Sequence, residues 1–154
     1  MNTLNKYFSF LLIFLINANI VFAQKKVKDT YLNKKSYLVE VTMTGGKKKK
    51  IFSEEIGFTS GKIKSKHFML GDNGGFIQGD YEVTNADTTG EARTFDFKAS
   101  IKNSKDVYLI YEGTVYGDMI DGKIVWETSK HKVKSEMTFT GTVKEKVQKY
   151  VPAE

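Results

Sequence analysis

The sequence predicts an all-β fold: eight antiparallel strands in up-and-down order, closed into a barrel, with a two-sheet β-sandwich as the alternative. Three observations lead there. Apolar and polar residues alternate over short runs rich in β-branched and aromatic side chains. Turn signals interrupt these runs at Gly45-Gly46, Ser60-Gly61, residues 71–75, 85–90 and 103–106, Gly117-Asp118 and Ser129-Lys130. No segment sustains a helical stripe over three turns.

The chain opens with residues 1–23, which read as a cleaved signal peptide. Lys6 supplies a positive start, residues 7–16 an apolar core, and Val21-Phe22-Ala23 a small-residue cleavage site before Gln24. The rival, an uncleaved anchor, needs about 20 apolar residues, and Asn17 and Asn19 break the run. Export to the periplasm or beyond is therefore expected, with no membrane anchor left after cleavage. Residues 24–35 are polar and aperiodic and read as a flexible leader.

The barrel domain is expected over residues 36–144, with strands at 36–43, 50–59, 62–69, 76–84, 91–101, 107–116, 119–128 and 134–143. Short connections favour hairpins between neighbours, and closure removes the exposed edges of an exported sheet. Residues 145–154 read as a short tail. The alternation assigns one face to the interior: for example Tyr37, Val39 and Val41, then Ile56 and Phe58, Ile63 and Met69, Ile77, Tyr81 and Val83. It continues through Phe95, Phe97, Leu109, Tyr111, Ile124, Trp126, Met137 and Phe139. Gly79, Gly113, Gly122 and Gly141 share that face. They permit strand bending, or leave an internal cavity.

Composition narrows the classes. A chain of 154 residues is one domain. It has no cysteine, which excludes disulfides, thiolate metal sites and a cysteine nucleophile. The net charge is +6, and removing Lys6 with the signal lowers it to +5. Residues 24–50 hold nine lysines against Asp29 and Glu40, so the basic excess lies early in the chain. The run Lys47, Lys48, Lys49 and Lys50, joining the first two strands, is either a solubilising loop tip or a site for an anionic envelope polymer or partner. Nucleic acid is not expected, because arginine and exposed stacking aromatics are lacking.

The stretch from Gly113 to Trp126 follows G-x-V-x-G-D-x-I-x-G-x-x-x-W, and Met137-Thr138-Phe139-Thr140-Gly141 follows it. This resembles the last hairpins of lipocalin-like (calycin-type) barrels of small secreted bacterial proteins. The resemblance covers roughly residues 107–143. It implies an internal site for an apolar ligand and transfers no catalytic residue.

Four polar residues fall on the expected inner face: Glu54, Ser65, His67 and Arg93. Arg93 is the only arginine, and a guanidinium forks to a carboxylate or phosphate as lysine does not. It either meets an anionic head group or sits at a strand end and reaches solvent. His67 is a candidate general base, but no Ser–His–Asp order accompanies it. Two histidines make a poor metal set, and Asp72 and Asn73 are too few for a calcium loop; no metal or cofactor is implied. The favoured reading is an exported, non-enzymatic barrel holding a hydrophobic or amphipathic small molecule, with Arg93, Phe95, Phe97, Tyr111, Trp126, Phe139 and His67 as its site. The alternatives are an envelope interaction module using Lys47, Lys48, Lys49 and Lys50, and a barrel enzyme with Glu54, His67 or Arg93 at the mouth.

Overall fold

The computed structural model describes residues 31–44, 49–71 and 74–145. The expected signal peptide, residues 24–30 of the leader, Lys47, Lys48, Asp72, Asn73 and residues 146–154 lie outside them. The described chain runs β1 (Ser36–Thr44), β2 (Lys50–Thr59), β3 (Lys62–Ser65), α1 (Lys66–Met69), β4 (Gly79–Asp87), β5 (Thr94–Lys102), β6 (Tyr108–Tyr116), β7 (Met119–Glu127) and β8 (Val133–Val143). Each strand pairs with its neighbour in sequence, and β8 returns to β1, giving a closed eight-stranded barrel. The closing ladder runs from Tyr37↔Val143 to Thr44↔Glu136. The sandwich alternative is thereby excluded.

Turn chemistry sets the hairpins. Ser60 and Gly61 have φ of 52° and 75°, the paired positive angles of a type I′ turn whose twist matches the flanking strands. Asn33 Oδ1 accepts from the Ser60 amide at 2.9 Å, which ties the segment before β1 to this turn. In the β5–β6 turn, Asn103 Oδ1 accepts from the amides of Lys105 and Val107 at 2.9 and 3.0 Å, an Asx turn.

The interior is filled with rings. Phe58 meets Tyr81 and Phe97 edge-on at 5.0 and 5.1 Å, and Tyr37 at 6.0 Å, the arrangement that ring quadrupoles favour. The glycines do not open a cavity. A Cβ on Gly113 would sit 2.8 Å from the Phe97 ring, and one on Gly122 would sit 2.7 Å from the Phe139 ring. The tips of the cross-strand phenylalanines, together with the carbonyls of Asp121 and Glu112, therefore occupy the space a side chain would take. At Gly79 and Gly141 a Cβ would strike the backbone of Ser100 and Leu38 on the adjacent strand, so there glycine permits close strand approach.

Three expectations are corrected. The third strand stops at Ser65 instead of 69, because Lys66–Met69 turn into one turn of helix. Met69 is then exposed while Phe68 is buried, the reverse of strand alternation. The fourth strand begins at Gly79, so Ile77 is 64% exposed and the fully buried Phe76 takes the interior position. Part of the leader is also packed: Leu32 is fully buried. Tyr31 stacks on Phe95 at 4.4 Å and its hydroxyl donates to Gly117 O at 2.9 Å.

The two ends of the barrel are thus closed differently. At one, residues 31–35 plug the opening beside the β2–β3 and β6–β7 turns; this is the N-terminal end. At the other, α1 with residues 70, 71 and 74–78 crosses the opening between β3 and β4, beside the β1–β2, β5–β6 and β7–β8 connections; this is the helical end. The β3–β4 seam is the shortest in the barrel, with two residue pairs, Lys62↔Asp80 and Ile63↔Gly79.

A candidate binding cleft at the helical end

The helical end owes its shape to one buried carboxylate. Glu54 lies on β2 facing inward and is 3% exposed. Its Oε1 accepts from the Glu55 amide at 2.6 Å and from the His67 amide at 2.9 Å, and its Oε2 accepts from the Ser65 hydroxyl at 2.8 Å. The carboxylate therefore satisfies an amide in the first turn of α1, which has no other side-chain cap. That capping bends the chain out of β3 and carries Phe68 over the barrel opening. The chain returns through Gly74 and Gly75, at φ 116° and 66°, where a side chain would be strained. The Phe76 amide then donates to Phe68 O at 2.8 Å.

Phe68 and Phe76 meet Trp126, on β7, edge-on at 6.1 and 5.5 Å. Lys134 Nζ lies over the indole ring, 4.3 Å from its centroid, a cation–π contact. The indole Nε1 is buried and has no hydrogen-bond partner among the described residues. Beside this ring a cleft of about 550 Å³ opens, lined by residues 71, 74 and 75, Asn103, Lys105, Trp126, Thr128 and Lys134. Asn103 Nδ2 donates to Gly74 O at 2.8 Å and holds two of its walls together. The cleft has an aromatic floor and two ammonium groups at its rim. That combination suits a ligand with an apolar body and an anionic head.

Below it Glu54 and Ser65 are the buried polar side chains nearest the opening. Tyr111 is fully buried, and its hydroxyl has no hydrogen-bond partner among the described residues. Burial pushes its phenol well above the usual range and the Glu54 charge adds to this, while nearby Ser65 acts in the opposite sense. The Ser65 hydroxyl is donated to Glu54. Ser65 is itself fully buried, and both Glu54 oxygens are engaged. Neither group is presented to a substrate.

The expected site residues are dispersed. Trp126 lines the cleft. His67 is at the same end, stacked on Phe52 at 4.3 Å. Phe97, Tyr111 and Phe139 are core residues packed among other side chains. Phe95 lies at the opposite end under Tyr31. Arg93 does not face inward: it is exposed and precedes β5, its carbonyl accepting from the Gly117 amide at the N-terminal end. Ile101, level with Trp126 across Leu109, is eight residues further along the chain, roughly 25 Å of extended strand. Arg93 and Trp126 cannot share one small ligand. Lys49 and Lys50 are exposed at the helical end. Asn103, Lys105 and Lys134 were missed by the sequence reading, because they converge only when the barrel closes.

Two other clefts, of about 330 and 530 Å³, lie on the outer wall around β4, β5, β6 and β7. Their charges are largely paired: Glu112 bridges Lys98 at 3.1 Å and Lys123 at 2.8 Å. Among the described residues no three His, Asp or Glu side chains converge as metal ligands. No described helix is long and apolar enough to cross a membrane, which says nothing of strands. No family model, curated protein or solved structure matches the chain.

Proposed function

We propose that this chain is an exported, lipocalin-like binding barrel that takes an amphipathic anion at its helical mouth and not within its core. The observation that carries this reading is the contrast between a ring-filled interior and a cleft of about 550 Å³ floored by Trp126 and rimmed by Lys105 and Lys134. That volume falls in the range of small-molecule sites, about 300–1,000 Å³. An acyl chain or planar apolar body would lie along the indole. Its carboxylate or phosphate would meet Lys134, which already stands over the ring, and Lys105 across the cleft. Residues 1–23 support the exported setting. Among the described residues no accessible nucleophile is paired with a base, which favours binding over turnover.

Trp126 is the only tryptophan, so its emission reports this site alone. Titration with dodecanoate should change that emission saturably. Lys134→Gln should weaken the response by about tenfold, the value of one charge-assisted contact, whereas Arg93→Gln should leave it unchanged. An emission that stays flat with dodecanoate and with dodecyl phosphate would overturn the reading. Equal loss in the Lys134 and Arg93 variants would do the same.

A further inference from the structure

We infer that the helical end is a docking surface for an anionic phospholipid bilayer. This inference does not require the cleft to hold a ligand. Two independent features coincide there. The first is apolar. Of the eight large hydrophobic residues exposed among the described ones, five stand at this end: Ile51 at 53%, Met69 at 38%, Leu70 at 62%, Ile77 at 64% and Val133 at 56% exposure. They come from β2, from α1 and the segment between it and β4, and from β8. They therefore stand around one rim and do not form a seam along the wall.

The second feature is charge. Lys49, Lys50, Lys105, Lys130, Lys132 and Lys134 are exposed at the same rim. Against these six lysines the described rim carries Asp106, paired with Lys102 at 2.8 Å, Glu127, which hydrogen-bonds His131 at 3.1 Å, and Glu136. The rim is strongly cationic. At the N-terminal end Lys34, Lys35, Arg93 and Lys144 are offset by Asp87, Glu91, Asp118 and Glu145.

The up-and-down topology puts every one of these connections on the same side of the barrel, where a flat surface can touch them together. Lysines alone would suit any polyanion. Exposed aliphatic side chains between them suit a surface with an apolar layer beneath its charge, since interfacial binding combines burial of apolar groups with attraction to anionic lipid. A soluble acidic polysaccharide would leave Leu70 and Ile77 in water. Docked in this way, the cleft beside Trp126 faces the membrane.

The test is cosedimentation of the protein, in the processed form its host accumulates, with vesicles of phosphatidylcholine alone or with phosphatidylglycerol at three parts in ten. Binding should require phosphatidylglycerol and fall by about tenfold or more between 0.1 and 0.5 M salt, as screening shortens the reach of the charges. The combined change Lys49→Gln, Lys50→Gln, Lys130→Gln and Lys132→Gln should abolish it. Leu70→Ser with Ile77→Ser should weaken it by about tenfold at unchanged charge, by loss of apolar burial. All six positions are exposed, so the thermal transition should persist, and dodecanoate titration of Trp126 should survive in both variants. That titration separates failure of docking from failure of the cleft. Equal binding to both vesicle types, or no binding to either, overturns the inference. So does lipid binding that the lysine changes abolish and the Leu70 and Ile77 changes leave intact, which would point to a soluble polyanion.

Discussion

The two ends of this barrel solve the same problem with different chemistry. The N-terminal end is stoppered by local sequence: Leu32 fills the opening, and Tyr31 bonds across it to Gly117 and stacks on Phe95. Its charges cancel. The helical end is covered by a segment that leaves the sheet, and the cover rests on a buried carboxylate that caps one turn of helix. Its charges do not cancel, and its apolar side chains point outward. Packing at the first end serves stability. At the second it leaves an aromatic cleft and a rim of exposed lysines and aliphatic side chains.

This comparison can be broken at either end. The largest effect is expected from Leu32→Ala. Removing a fully buried leucine costs roughly 2–5 kcal/mol, and urea unfolding should show a lower midpoint. If the variant unfolds as the wild type does, residues 31–35 are not the stopper described here. Glu54→Ala should cost slightly less, roughly 2–4 kcal/mol, because the Ser65 hydroxyl and the His67 amide lose their acceptor. Its signature should be local: amide exchange of residues 67–70 should accelerate more than that of β6 and β7. Uniform acceleration would mean that Glu54 supports the whole barrel and not the helical cover.

Smaller changes sharpen the contrast. Tyr111→Phe removes a buried hydroxyl that lacks a hydrogen bond, so stability should hold or rise by up to about 1 kcal/mol. A clear loss would reveal an ordered partner for that hydroxyl. The least effect is expected on the outer wall. Hydrogen bonds from Lys123 and then Lys98 hold the Glu112 carboxyl below the usual range, and Lys144 does the same for Glu55. A depressed folded value means these pairs stabilise above the ordinary carboxylate range. That contribution is lost as pH falls through the lowered value. Glu112→Gln should therefore flatten the acid limb of thermal stability by less than about 1 kcal/mol, as half-exposed pairs do, and high salt should erase the difference. An unchanged acid limb at low salt would count against the clamp.

Much of the wall was legible in the sequence. Alternation marked β2 at its true ends, residues 50–59, and placed β1, β6, β7 and β8 within a residue. It failed between 66 and 78 for a physical reason. Ile63, Ser65, His67 and Met69 alternate as a strand should, and nothing local announces that Glu54, eleven residues upstream of Ser65, will cap a helix there. Leu32 was missed because Val27, Tyr31 and Leu32 form no period in a polar stretch. The cleft was half legible: Trp126 stood out as the only indole, while Lys105 and Lys134 are one surface lysine each until closure sets them around it. Arg93 was singled out for its rarity, and rarity says nothing about which way a residue faces.

The closing ladder has a last consequence, for how the molecule is handled and displayed. β1 begins and β8 ends at the same pole, where the Lys144 amide donates to Ser36 O at 2.7 Å. The barrel strands therefore start and finish at the pole opposite the lysine rim, so an attachment made at Ser36 or Lys144 leaves the helical face free.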